Sequence, residues 1–283
     1  MTLAVRPGVS GGHYLEDHVV GQVVCSDPIT FSRETVARYA DAVGDSSSLH
    51  DPNIPGSTVH GPLIQAMAIS WMVNTGVAAR VLAELDHTWH YTKPVRIGES
   101  VTFRVTFTRI QRSRSRAKGL VHRTIDVLGA DGDVLQHATS RILVEARTAV
   151  DDTQERARTA IGTAEWARLL AGALERDDQF TRLTSTWDGT IGFGIGTETM
   201  LLRVYKGRVL DVGRRMPHGP TFVVHASERT WVELVTGPEN DFTRRAMCGQ
   251  VQTTGDAYEY LRLNRTVVAV IDVMRALARE EEK

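Results

Sequence analysis

The 283 residues predict an α+β chain in two parts. Three observations lead there. The run LIQAMAISWMV (63–73) is almost uncharged and has no polar face, so a helix built from it must be covered on nearly all sides. The segment VTFRVTFT (101–108) alternates strictly between apolar and polar residues, and two further extended stretches at 120–128 and 133–146 follow it. A helix followed by a meander of long strands suggests an antiparallel sheet wrapped around one helix. The third observation is a second helix-then-strand succession, whose strands begin at Trp187. These place a first domain at 1–148, a polar linker at 149–162 and a second α/β domain at 163–283.

In order along the chain, Val19-Val20, Gly21 and Val23-Val24 predict a short strand broken at glycine. Ser32 fits an N-cap with Glu34 in the first turn, Val36, Tyr39, Ala40 and Val43 recur at helical spacing, and Gly44 ends the helix. Asp45 to His50 therefore lie on a loop just past a helix end. Gly61 and Pro62 suit the first turn of the central helix, where a missing N–H costs little. Taken to Gly76, that helix would span roughly 24 Å. VAARVLAELDH reads as short and mixed with a helical leaning, and Pro94 and Gly98 mark a strand boundary. Gly129-Ala130-Asp131-Gly132 is a hairpin turn. RTAVDDTQERARTAIG has no sustained apolar face, which fits a linker or a surface helix equally. In the second domain Trp166, Leu169, Leu170 and Leu174 form a helix stripe. Hairpins follow from Trp187, then a strand, a helix capped by Ser227, a short strand in AMCGQVQTTGD, and a C-terminal helix ending in charge.

Composition narrows the function. Apolar residues are 42% and charged residues 24%, with a net charge of −1, so no global field favours nucleic acid or a membrane surface. No uncharged apolar run reaches the ~18 residues of a span. Residues 1–18 lack the apolar core of a secretory signal. Cys25 and Cys248 have no CxxC partner. The expectation is a reducing, cytoplasmic setting. No HExxH or paired-histidine spacing occurs, so no metal is expected.

Asp45 and His50, five residues apart on one loop, are the first candidates for chemistry. A carboxylate and an imidazole facing a cleft can take a proton from water and return one at carbon. The plainer reading is a local Asx turn beside a hydrogen-bonded loop histidine. Gly61, if it opens the central helix, turns a free N–H and the helix dipole toward any carbonyl oxygen nearby; the plainer reading is close packing against the sheet. The run Arg109, Arg112, Arg114, Arg116 and Lys118 could hold phosphates, but more often marks a solvated hairpin tip. GFGIG (192–196) lies within strand-like alternation and is set aside as a nucleotide loop.

Several stretches in order carry a resemblance: HYLEDHVVGQVV, FSRETVARYADAVGD, GDSSSLH, VHGPL and KPVRIGES. Residues 13–146 resemble the MaoC-like hot-dog family, which includes the R-specific enoyl-CoA hydratases. The resemblance implies that Asp45 and His50 are the catalytic acid/base pair and that the Gly61 N–H polarises a thioester carbonyl. It also sets Ser47, His60 and Ala66 against the substrate. Ser47-Ser48 stands where the family has Asn-Pro, the segment between His50 and His60 is short, and Ala66 stands where some hydratases have serine. Residues 163–277 resemble the sterol carrier protein-like fold through Trp187, VYKGRVLDVG, HASERTWVELVTG and AMCGQVQTTGD. That resemblance implies a site for lipid or acyl chains. Together they imply reversible hydration of trans-2-enoyl thioesters by a homodimer needing no cofactor, coenzyme A or a carrier protein being part of the substrate. The alternatives are a non-catalytic lipid- or acyl-binding protein, and a related dehydratase or cyclase acting on a polyketide-like substrate.

Overall fold

The computed structural model describes residues 2–3, 12–114, 116–149 and 160–279. Backbone proximity divides the chain into two compact units, one of residues 1–107 with 116–149 and the other of 108–115 with 150–283. The expected linker lies mostly outside the described residues. No described helix is long and apolar enough to cross a membrane.

The first unit holds β1 (Thr2–Leu3), β2 (Val23–Cys25), β3 (Ile29–Thr30), α1 (Arg33–Val43), α2 (Gly61–Asn74), β4 (Val81–Tyr91), β5 (Ser100–Arg112, assigned to this unit as far as Phe107), β6 (Lys118–Leu128) and β7 (Val134–Glu145). The sheet order is β1-β2-β5-β6-β7-β4, with β3 pairing β5 off this path. α1 begins where Ser32 accepts from the Thr35 N–H and ends at Gly44 in the left-handed conformation, φ 71°. α2 sets Leu63, Ile64 and Ala68 into a core with Phe31, Val36, Val101, Phe103 and Val127. Each large side chain so buried contributes roughly 1.5–3 kcal/mol.

Three expectations change here. α2 is covered on one face only: Pro62, Ala66, Ser70 and Val73 are exposed, and the small size of Ala66 and Ser70 keeps the apolar area in water low. VAARVLAELDH is largely strand, because β4 pairs with β7 from Val81–Val144 to Tyr91–Gln136, a partnership local spacing cannot announce. Arg109 is buried, 2% exposed, so the basic run is not a solvated tip throughout.

The second unit holds α3 (Ala164–Leu174), α4 (Asp178–Leu183), β8 (Asp188–Ile195), β9 (Glu198–Tyr205), β10 (Arg208–Gly213), β11 (Phe222–Ala226), α5 (Glu228–Thr236), α6 (Phe242–Met247), β12 (Gln252–Gly255), α7 (Ala257–Arg262) and α8 (Asn264–Arg279). Its sheet runs β10-β9-β8-β11-β12, with β8 and β11 parallel and the other pairs antiparallel. Lys206 and Gly207, both at positive φ, close the β9–β10 hairpin. The glycines of GFGIG serve the sheet: a Cβ on Gly192 would meet Val223 Cγ2 at 2.7 Å, and one on Gly194 would run into His225.

Candidate functional site

The end of α1, a loop and the start of α2 bring Asp45, His50 and His60 together. Asp45 directly follows the Gly44 turn, its N–H bonding Ala40 O at 2.9 Å. Its carboxylate accepts from the Ser47 N–H at 2.8 Å on Oδ1 and from His60 Nε2 at 2.9 Å on Oδ2. Thr58 organises the rest through its backbone. Its N–H bonds Leu49 O and its carbonyl accepts from His50 Nδ1, each at 2.9 Å. The neighbouring residues are pinned to the 95–97 segment through Val59 N to Val95 O and Ile97 N to Ser57 O.

These bonds fix the hydrogen-bonding roles. A carbonyl only accepts, so His50 Nδ1 carries a proton, and in the neutral ring the lone pair lies at Nε2. The Ser47 N–H, helped by the His60 hydrogen bond and the charges of His60 and His50, holds the Asp45 carboxyl below the usual carboxylate range against partial desolvation. Asp45 is therefore ionised at neutral pH and His60 donates from Nε2. The His50 and His60 rings stack, centroids 4.0 Å apart at 23°, and Tyr39 of α1 meets His60 edge-on at 5.0 Å.

The donor atoms of Asp45, His50 and His60 lie within 4.8 Å of one another, a grouping the sequence spacing did not signal. Among the described residues, those three are the ones grouped closely enough to hold a metal ion. Stacked rings hold their lone pairs in two near-parallel planes, so one ion cannot lie in both, and His60 Nε2 is already committed to Asp45. The arrangement suits proton handling better than chelation.

Gly61 opens α2, and its N–H makes no hydrogen bond among the described residues. It borders a cleft of about 340 Å³ whose walls include Thr58, Pro62, Tyr91, Lys93 and Gln136. Asp45, His50 and His60 are not among those walls. The Tyr91 ring lies so close that a Cβ on Gly61 would come within 2.8 Å of its Cζ. Burial, and then the nearby Tyr39, raise the Tyr91 hydroxyl above its ordinary pKa.

Of the residues read from sequence, Asp45, His50 and His60 cluster, and Ser47 joins them through its backbone. Gly61 is the next residue along. Ala66 is exposed on α2 and lines no part of the cleft. Sequence reasoning missed Tyr39 and Tyr91, and missed that His60 rather than His50 bonds Asp45. The aromatic run Trp89-His90-Tyr91 just before Lys93-Pro94 was the available signal for Tyr91.

No known family's sequence profile matches the chain, and no curated protein matches it. Solved structures do. A MaoC-like dehydratase from Rhodospirillum rubrum is 23% identical, with a TM-score of 0.43, covering 48% of this chain and 99% of its own. The R-hydratase PhaJ1 from Pseudomonas aeruginosa is 15% identical, with a TM-score of 0.41, covering 48% and 88%. Sterol carrier protein 2 is 16% identical, with a TM-score of 0.36, covering 41% and 97%. The first unit's sheet packs against α2, and the second unit carries a five-stranded mixed sheet, β10-β9-β8-β11-β12. Likeness at this level concerns fold and says nothing of the reaction.

Proposed function

We propose that the protein adds water reversibly to a trans-2-enoyl thioester, giving an (R)-3-hydroxyacyl thioester, with the dehydration as its reverse. The observation that carries this reading is the Asp45 carboxylate grouped with His50 and His60, the last of which directly precedes Gly61, whose N–H is unengaged among the described residues. Asp45 orients the water. His50 Nε2 takes one of its protons as the oxygen bonds to Cβ, and the same proton is returned to Cα. The Gly61 N–H holds the charge that develops on the thioester oxygen between those events, a donor worth roughly 2.7–4 kcal/mol in comparable sites. The thioester belongs to coenzyme A or a carrier protein, and the reaction needs no other cofactor.

The second unit binds acyl or lipid chains in this reading, as its VYKGRVLDVG and HASERTWVELVTG motifs imply, and the setting is reducing and cytoplasmic, with Cys25 and Cys248 free thiols.

Crotonyl-CoA and longer enoyl thioesters should lose their conjugated absorbance with the wild-type chain. His50→Ala should lower kcat/KM on the order of 10²–10⁴-fold. Undiminished turnover in that variant would remove His50 from the mechanism, and a wild-type chain that binds acyl chains without turnover would favour the carrier reading.

The same reading makes the protein a homodimer. Among the described residues β4 ends the sheet with one edge unpaired, and Leu82 and Leu85 on it are 55% and 51% exposed. Sedimentation should give twice the chain mass, and Leu82→Lys/Leu85→Lys should give the monomer; a monomeric wild type would refute the dimer.

A further inference from the structure

We propose that His60 is the positioning residue for Asp45, holding the carboxylate ionised and aimed while His50 handles the proton. This rests on the hydration reading above, in which Asp45 orients water. Both oxygens of Asp45 are gripped from fixed points. Oδ1 accepts from the Ser47 N–H within the loop, and Oδ2 accepts from Nε2 of His60, the residue just before α2. A backbone grip alone leaves a carboxylate free to swing about its χ2. The second grip, from a ring fixed at a helix start, removes that freedom.

His60 is placed for this and for little else. It is 5% exposed, and its remaining ring nitrogen, Nδ1, is buried without a hydrogen-bond partner. A residue chosen only to fill the space between α1 and α2 would leave no buried polar atom unpaired, and leucine would serve there. The unpaired nitrogen is tolerated because the other nitrogen is needed by Asp45.

The stacking then acquires a role. When His50 Nε2 accepts a proton, the new positive charge lies 4.0 Å, ring to ring, from His60, whose partner is the Asp45 carboxylate. The titratable groups facing the pair are His50 on the loop, Tyr39 on α1 and, across Gly61, Tyr91 on β4. Burial, then Tyr39, raises the Tyr91 pKa further above neutrality, so Tyr91 adds no charge to the pair.

The test uses the full-length chain and two substitutions. His60→Leu removes the donor, and His60→Gln places an amide N–H near the position of Nε2. With His60→Leu, kcat on crotonyl-CoA should fall on the order of 10²-fold with KM little changed. The acid limb of kcat/KM should move to higher pH, as should the titration midpoint of the Asp45 carboxyl carbon followed by NMR. His60→Gln should recover most of the rate and return both midpoints toward wild type. A role in packing alone predicts the reverse pattern: the melting temperature drops, the midpoints stay, and Gln rescues nothing. That result would overturn the proposal. Should His60→Leu fail to fold, ring ¹⁵N spectra of the wild type decide. A proton on His60 Nε2 supports the pairing, and one on Nδ1 alone refutes it. If the wild type turns over no enoyl thioester while the Asp45 midpoint still moves in His60→Leu and returns in His60→Gln, the hydration reading falls and the His60–Asp45 pairing stands.

Discussion

A methyl group added at Gly61 lands on the Tyr91 ring, 2.8 Å from Cζ and 3.0 Å from Cδ1. Tyr91 is half exposed, so its ring can turn aside and the fold survives. Gly61→Ala should therefore melt within a few degrees of wild type, yet lower kcat/KM roughly 10²-fold as the wall of the cleft is displaced. Parallel melts and turnover assays check this, and an active Gly61→Ala variant would show that the Tyr91 wall is dispensable. At this scale the sequence made Asp45, His50 and Gly61 legible, because loop position, residue type and motif order all converge on them. It hid the bond between Asp45 and His60, and it hid the two tyrosines, since those meetings exist only once α1, α2 and β4 are folded. Ala66 was drawn in by motif position alone, and the helix turns it to solvent.

Local chemistry decides some elements and distant partners decide others. Ser32, Thr163 and Ser227 each accept a hydrogen bond from a backbone N–H in the first turn that follows, and each such cap is contained within four residues of sequence. Ser32 and Ser227 were readable as caps for that reason. β4 was not readable as a strand, because its side chains are mostly exposed and carry no apolar alternation to one buried face. The C-terminal end of α5 is a case no sequence pattern shows. Arg275, on α8 and 5% exposed, donates to Leu234 O and, at 2.7 Å, to Gly237 O, supplying donors to carbonyls that the helix end leaves over. Arg275→Met keeps much of the volume and leaves those acceptors unpaired. Its expected cost is about 3 kcal/mol, read as a lower denaturant midpoint for the second unit.

For the molecule as a whole, the strongest pH dependence comes from a group outside the candidate site. His18 is buried against Phe107, and neither ring nitrogen has a hydrogen-bond partner. Burial first, then the charges of His13 and Arg123, push its pKa from 6.5 down to about 4. The folded state therefore keeps His18 neutral where the unfolded chain would protonate it. Stability is complete above pH 6.5 and is lost as pH falls from 6.5 to about 4, on the order of 3 kcal/mol in all. His18→Leu should flatten that slope in melts of the first unit taken across the same range; an unchanged slope would assign it to other groups. The division into two folds was legible from the two helix-then-strand successions, whereas the membership of 108–115 in the second unit depends on contacts that no spacing encodes. The placement of β4 also dictates an order of events. It leaves the ribosome before β5 and β6, yet its sheet partner is β7, with Val81 waiting for Val144. Its docking closes long chain loops, so the edge of the sheet completes late, and newly made chains carry a solitary strand until residue 145 has emerged.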